Sequence, residues 1–223
     1  MTTSHPSVTC GVVHEEDGVR CAGNKEGVGM TAEPVAQQQT SRNDPAVKLI
    51  IALVVGGAVS VALGVYSNVH DPTGEKPYTL FFSDTIHLKV WFATAVVVLA
   101  CVQVLLGARL FDKIHIPRHA PPWLGDAHRL VGIVAFALTL PVAYQCLWGL
   151  GFQSTDTRVL VHSILGCVFY GAFTTKVLAV RMRGLPDRTL PLVGGFVFVV
   201  LVGIWLTSSF WFFTSRPAGI PLY

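Results

Sequence analysis

Charged residues are scarce in this sequence. Asp, Glu, Lys and Arg make up 13% of its 223 residues, whereas 52% of the residues are hydrophobic. A soluble domain carries about 25% charged residues, so much of this chain has no need to face water. The net charge of +3 is spread over several short segments. It therefore indicates membrane orientation, and it gives no sign of a nucleic-acid-binding face.

Catalytic signatures are missing as well. We find no nucleophile motif, no phosphate-binding loop and no carboxylates spaced for a metal ion. The five cysteines follow no zinc pattern, and the role of the group formed by Cys10, His14 and Cys21 stays open. These absences argue against a stand-alone enzyme and leave at most an electron-transfer subunit.

Long apolar segments dominate the rest of the chain. A bilayer core needs about 20 mostly apolar residues per spanning helix. We predict transmembrane helices at residues 49–66, 80–110, 128–152, 158–180 and 190–213. The predicted fold class is all-α, a polytopic bundle of five transmembrane helices occupying residues 46–215. A disordered polar tail at residues 1–45 precedes it, and a short tail at residues 216–223 follows.

The basic residues predict how the bundle is oriented, because Lys and Arg concentrate in cytoplasmic loops. With a cytoplasmic N-terminus, ten basic residues lie inside and four lie outside. The inner set is Arg42, Lys48, Arg109, Lys113, Arg118, Arg129, Lys176, Arg181, Arg183 and Arg188; the outer set is Lys76, Lys89, Arg158 and Arg216. We therefore expect a plasma-membrane protein whose C-terminus is extracytoplasmic.

Three histidines in the apolar segments are the candidate functional residues, since an ionisable group within a membrane is costly. His87 and His162 enter from the outer side in helices two and four, both at a predicted depth of roughly 10 Å. Two imidazoles at one depth can be the axial ligands of a b-type haem. His128 enters from the inner side, where only His115 and His119 in the adjacent loop are candidate partners.

Glycines accompany two of these histidines. Gly132 follows His128, and Gly166 follows His162, by one helical turn on the same face. A glycine at that place leaves room for a porphyrin plate, whereas a tryptophan follows His87 at the equivalent position. The expected cofactor-binding set is His87, His162, Gly166, His128 and Gly132, with His87 and His162 as ligands of the haem iron.

Several stretches resemble an uncharacterised family of actinobacterial membrane proteins. They are residues 87–95, 128–132, 140–148, 160–167 and 206–213. The resemblance extends over about residues 45–213, which is nearly the whole membrane domain. It implies a shared fold and brings no established activity with it.

The pairing of His with Gly four residues later also resembles the cytochrome b-561 superfamily. There, four core helices supply four histidines, and alternate helices pair to hold one haem near each membrane face. By this resemblance His87 and His162 correspond to one pair, and His128 corresponds to half of the other. Because the fourth histidine is missing here, the resemblance implies one haem, near the outer face.

Three functions remain open from the sequence. The first is an electron-transfer subunit that holds haem b and exchanges electrons with a quinone or a redox protein. The second is a cofactor-free scaffold or assembly partner of a larger membrane complex, in which the histidines are packing groups. The third is a small-molecule or ion transporter, for which Pro141 within helix three is weak support. All three share the lipid bilayer as a partner.

Overall fold

The computed structural model describes residues 44–72, 79–114 and 121–215. Within these ranges the regular structure is helical, and five helices are long and apolar enough to cross a bilayer. They are α1 (Pro45–Val69), α2 (Thr85–Leu110), α3 (Leu124–Leu150), α4 (Thr157–Arg181) and α5 (Thr189–Ser215). The prediction of an all-α, five-helix membrane protein is confirmed.

Several predictions fall on parts of the chain that the structure does not describe. The predicted tail at residues 1–45 lies outside the described residues apart from its last two, and so does the tail at residues 216–223. The same holds for the group formed by Cys10, His14 and Cys21, and for the loop histidines His115 and His119. These expectations stay predictions.

Aspartates determine where three of the helices begin. Asp44 caps α1, Asp84 accepts a hydrogen bond from the backbone N–H of His87 at 2.8 Å, and Asp156 accepts one from Val159 at 2.9 Å. A side chain in this position satisfies a backbone donor that has no partner inside the helix. Because Asp84 caps α2, the helix begins at Thr85, five residues after the predicted start.

This later start changes the predicted match between two histidines. His87 is the third residue of α2, whereas His162 is the sixth residue of α4. Both helices begin at the same end of the bundle, so the two residues differ by three positions, or about 4.5 Å of helix rise. The expectation that they lie at one depth along their helices was therefore wrong by almost one turn.

Helices α2 to α5 enclose the core, and α1 packs outside them against α4. We call the end at which α1, α3 and α5 begin the inner end, and the opposite one the outer end. Close backbone contacts join α2 to α3, α2 to α5, and α4 to α5. Val96 of α2, Phe169 of α4 and Leu201 of α5 belong to the central apolar cluster. These four helices enclose the inner cavity described below, and α1 joins them in the wall of the outer one.

The contact between α1 and α4 depends on small residues. A Cβ atom at Gly56 would overlap Thr175 Oγ1 and the carbonyl oxygen of Gly171, so the two backbones touch at this point. The Thr175 hydroxyl also donates a hydrogen bond to the Ala52 carbonyl at 3.2 Å. On another part of α1, Val61 is 65% exposed, which is the face that lipid covers in a bilayer.

Candidate functional site

An apolar cavity of about 330 Å³ lies at the outer end of the bundle. All five helices contribute to its wall, and so does the short connection between α3 and α4. His162 and Gly166 line it from α4, Lys89 lines it from α2, and Thr207 lines it from α5. Its volume is within the range of small-molecule sites, about 300–1,000 Å³.

His162 is held in one orientation by the outer part of α5. Its Nδ1 lies 3.1 Å from Thr207 Oγ1, and that hydroxyl donates its own proton to the Gly203 carbonyl at 2.9 Å. Because a hydroxyl has a single proton, keeping the bond to the Gly203 carbonyl requires the His162 tautomer that donates Nδ1–H to Thr207 Oγ1. In a neutral ring Nε2 then carries the lone pair, which is the form of imidazole that binds a metal.

His87 has the same proton arrangement with a different partner. Its ring is 7% exposed, and Nδ1 lies 2.6 Å from Asp84 Oδ2. An ionised carboxylate can only accept a hydrogen bond, so Nδ1 is the donor here too. Nε2 of His87 is buried and has no hydrogen-bond partner among the described residues. No hydrogen bond from a described residue compensates for the cost of burying this atom.

The structure does not bring His87 and His162 into contact. The ring of His87 packs edge-on against Phe212 at a centroid distance of 5.9 Å, and His87 does not line the outer cavity, although Val90 and Ala93 of the same helix do. His162 contacts Thr207 instead. Both histidines thus lie against the outer part of α5, but they contact different residues of it.

The two glycines one turn after a histidine have different surroundings. No atom lies within 4 Å of the place where a Cβ of Gly166 would be, and Gly166 lines the outer cavity beside His162. At Gly132 the same place is 2.5 Å from Gln103 Nε2, so the Gln103 side chain fills the space. The sequence predicted open space beside both glycines. Only at Gly166 is the place of the missing Cβ atom open.

Two π-helical segments form part of the outer cavity. They are Gln145–Leu150 at the end of α3 and Leu206–Phe210 in α5. Pro141 stands inside α3 one turn before the first of them, where it lacks the N–H that a regular helix uses. Cys146 and Leu150 from one segment, and Thr207 from the other, line the cavity. π segments within α-helices are frequent at functional sites.

Two cationic side chains line the outer cavity. Arg158 donates a hydrogen bond to the Thr207 carbonyl at 2.7 Å, and its guanidinium lies 4.0 Å from the centre of the Trp211 ring. Lys89 lines the cavity from α2 and makes no hydrogen bond or ion pair with any residue in the described ranges. No Asp or Glu occurs among the described residues that line the cavity. The site is therefore apolar and electropositive.

His128 is found in a separate cavity of about 460 Å³ at the inner end. Gln103, Gly132 and Lys176 line it as well. His128 is therefore apart from the other two histidines, as the sequence predicted from its entry side. Among the described residues no three His, Cys, Asp or Glu side chains converge to bind a metal ion.

Three residues near the two outer histidines were not among the predicted site residues: Asp84, Thr207 and Lys89. Asp84 precedes His87 by three residues, and this spacing places a helix-capping carboxylate beside the ring. That signal was readable in the sequence. Thr207 and Lys89 were not identifiable, because a threonine or a lysine near a helix end is common and only the packing of α4 against α5 brings Thr207 to His162.

Comparison with known proteins gives one match. Residues 49–219 match the model of a family of unknown function, DUF6529. No curated protein and no solved structure matches the chain. The resemblance to an uncharacterised family is thus confirmed, whereas the actinobacterial origin and the cytochrome b-561 likeness stay predictions.

Proposed function

The chain belongs to the family of unknown function DUF6529, and we propose that it is a membrane-embedded electron-transfer subunit that binds one b-type haem in the outer cavity. His162 is the first axial ligand in this proposal, and His87 is the second. The expected partners are a quinone or a redox protein that meets the outer end of the bundle.

The proton arrangement on the two histidines carries the proposal. Each ring donates Nδ1–H to a neighbouring oxygen, Thr207 Oγ1 for His162 and Asp84 Oδ2 for His87. Metal-binding histidines almost always donate the other ring N–H in this way, which fixes the tautomer and raises the basicity of the ligating nitrogen. Nε2 is then the atom left to bind iron on both rings.

The cavity supports the same assignment. Gly166 leaves open space one turn along the helix from His162, and apolar side chains form most of the remaining wall. A haem carries two propionates, and Lys89 and Arg158 are cations suited to pair with them. The residues at His162 therefore fit a haem.

The fit at His87 is incomplete. Its Nε2 lacks a partner, as a ligand atom would, but its ring packs against Phe212 and does not line the cavity. For His87 to bind the same iron, the ring must turn from Phe212 towards the space bordered by Val90. Such a rotation would keep the backbone cap at Asp84, because that hydrogen bond uses the His87 backbone N–H, but it would move Nδ1 away from Asp84 Oδ2.

Haem would supply one-electron transfer, and the described residues would create its environment. The apolar helices exclude water, and exclusion of water together with hydrogen bonds to the ligands sets a haem potential. Thr207 would orient His162 through its Nδ1. The quinone or redox protein remains a proposal that no contact in the described residues identifies.

Visible spectroscopy tests the proposal directly. The full chain is purified in detergent from haem-supplemented cells, and oxidised and dithionite-reduced spectra are recorded for wild type, His162→Ala, His87→Ala and His128→Ala. We expect a sharp reduced α-band in wild type that is lost in His162→Ala and His87→Ala. His128→Ala is the matched control, since it removes a membrane histidine from the other cavity, and it should keep the band.

Each other outcome contradicts a stated part of the proposal. A colourless wild-type protein with an intact cooperative unfolding transition overturns haem binding. A band that persists unchanged in His87→Ala overturns the assignment of the second ligand. Loss of the band in His128→Ala alone would move the haem to the inner cavity.

The contact of His87 with Phe212 favours a second candidate, a cofactor-free membrane scaffold or assembly partner. In this reading Asp84 and Phe212 are sufficient partners for the His87 ring, and His162 is a packing group bonded to Thr207. Membrane histidines with such interhelical bonds stabilise helix packing. The colourless outcome above is the one that this function predicts.

A further inference from the structure

The inner cavity has the form of a separate small-molecule site. Its volume of about 460 Å³ exceeds that of the outer cavity, and α2, α3, α4 and α5 all contribute to it. Apolar side chains such as Val180, Val197 and Phe198 form most of its wall. Glycines at 107, 132, 194 and 195 border it, so backbone rather than side chains occupies part of the lining.

Two buried polar atoms without hydrogen-bond partners belong to residues that line this cavity. Gln103 Nε2 donates to the His128 carbonyl, which fixes the orientation of the amide. Gln103 Oε1 and His128 Nδ1 are both buried and have no hydrogen-bond partner among the described residues. Buried polar atoms normally have a hydrogen-bond partner. The few that lack one in a native protein often mark a binding site.

Two lysines, Lys113 and Lys176, give the inner cavity a positive charge as well. Lys176 lines it from α4, partly buried and five residues before the end of a membrane-spanning helix, and it makes no hydrogen bond or ion pair with a described residue. Two other basic side chains at the same end have carboxylate partners: Arg109 pairs with Asp112 at 3.0 Å, and Arg129 pairs with Asp126 at 3.3 Å. No Asp or Glu belongs to the described lining of the cavity. A cation in such surroundings favours an anion.

We propose that the inner cavity binds an anionic amphiphile, whose carboxylate or phosphate headgroup pairs with the Lys176 ammonium group and whose apolar chain lies against the helix walls. His128 Nδ1 and Gln103 Oε1 are the additional hydrogen-bonding groups at the headgroup. The site is independent of haem, because it uses a different cavity and none of the outer histidines.

Three probes that share one hydrocarbon chain and differ in their headgroup test which headgroup the cavity binds. The full-length protein, in nanodiscs of phosphatidylcholine, is titrated with hexadecanoate, hexadecyl phosphate and hexadecanol. We expect saturable binding of the two anions and at least about 10-fold weaker binding of the alcohol, which is the typical worth of a hydrogen bond between charged groups. The tighter of the two anions identifies the source, a fatty acid or a phospholipid-like headgroup.

Lysine variants locate the site. Lys176→Gln should weaken binding of the anions about 10-fold, and Lys176→Arg should retain most of it. Lys48→Gln is the matched control, because Lys48 is a partly exposed lysine at the same end that does not line the cavity and whose ammonium donates to the Arg183 carbonyl. It should bind as wild type does. Equal binding of acid and alcohol, or wild-type affinity in Lys176→Gln, overturns the proposal.

A measurement on the unaltered chain covers the case in which a variant fails to fold. A hexadecanoate that carries a diazirine is photo-crosslinked to the wild-type protein, and the labelled peptides are identified. Label within residues 103–113 or 190–198 supports the inner cavity. Label confined to residues 142–153 or 204–209, or loss of binding in Lys89→Gln alone, assigns the anion to the outer cavity and contradicts the proposal.

Discussion

Three histidines in apolar helices have three different environments. A carboxylate, Asp84, accepts the Nδ1 proton of His87, and a hydroxyl, Thr207, accepts that of His162. Nδ1 of His128 has no partner among the described residues. The environments differ because Asp84 is close to His87 along the chain, whereas Thr207 reaches His162 from a different helix. The function that can be proposed for a histidine inside a membrane segment thus depends on the partner of each ring nitrogen.

Asp84 should make the stability of the protein depend on pH. Burial acts to raise the pKa of its carboxyl group, but hydrogen bonds from the His87 backbone N–H and ring outweigh burial and hold the pKa below its ordinary value of 3.8. A carboxyl group with a lowered pKa in the folded state stabilises the fold above its unfolded pKa. This contribution is lost as the pH falls through the folded pKa.

We expect Asp84→Asn to be less stable than wild type above about pH 4, with the difference closing on further acidification. Asparagine also caps helices, so the variant removes the charge while it keeps a capping group. The measurement is thermal unfolding in a non-ionic detergent, followed by circular dichroism over a series of pH values. Parallel pH profiles for the two proteins would show that the lowered pKa does not contribute to stability.

At the scale of the element, the features that interrupt a regular helix gather at the outer cavity. The two π-helical segments, Gln145–Leu150 and Leu206–Phe210, both contribute to its wall. In contrast, the contact between α1 and α4 is regular and close, with Gly56 against Gly171. Helices α1 and α4 are therefore packed closely, whereas the irregular segments of α3 and α5 leave space for the outer cavity.

The glycines of α1 allow a matched test of this contact. Gly56→Ala should destabilise the protein by about 1–3 kcal/mol, because the added Cβ meets Thr175 and the Gly171 backbone, and an overpacked site must shift. Gly57→Ala is the control, since no atom lies within 4 Å of its would-be Cβ. Unfolding by a denaturing detergent in mixed micelles gives the free energy of unfolding for both. Equal stability of the two variants would contradict the close crossing of α1 and α4.

For the whole molecule, five spanning helices place the two ends of the described chain at opposite faces of the membrane. The bundle contains two cavities, one towards each face, and α1 contributes only to the outer one. Val96, Thr139, Phe169 and Leu201 line both of them and form the layer between. This layer separates the outer cavity, which His162 lines, from the inner cavity, which His128 and Lys176 line.

Fusions test the predicted orientation. Alkaline phosphatase needs disulfide bonds, which form outside the cytoplasm. We expect an active fusion after Tyr223 and an inactive one after Arg183, in the connection between α4 and α5, because the excess of basic residues predicts that this connection is cytoplasmic. Protein levels of both fusions are compared by immunoblot. The reverse pattern would overturn the orientation while leaving the five-helix fold untouched.

The sequence determined the number and approximate positions of the helices, because the thickness of the bilayer requires apolar runs of a given length. It also determined that His128 lies apart from His87 and His162, since the direction of successive spans alternates. Helix ends were less certain: α2 begins at Thr85 because Asp84 caps it, and not at residue 80, where the apolar run begins.

Only the tertiary structure decided which helices touch and where space remains between them. A membrane helix is apolar on every side, so its sequence gives little sign of which face meets lipid and which meets protein. Interhelical packing decides the contact of His162 with Thr207, 45 residues away, and the filling of the space at Gly132 by Gln103. It also places Lys176 in a cavity with no Asp or Glu among its described lining residues. Such packing sums many small contacts between distant residues, and no local pattern in the sequence encodes it.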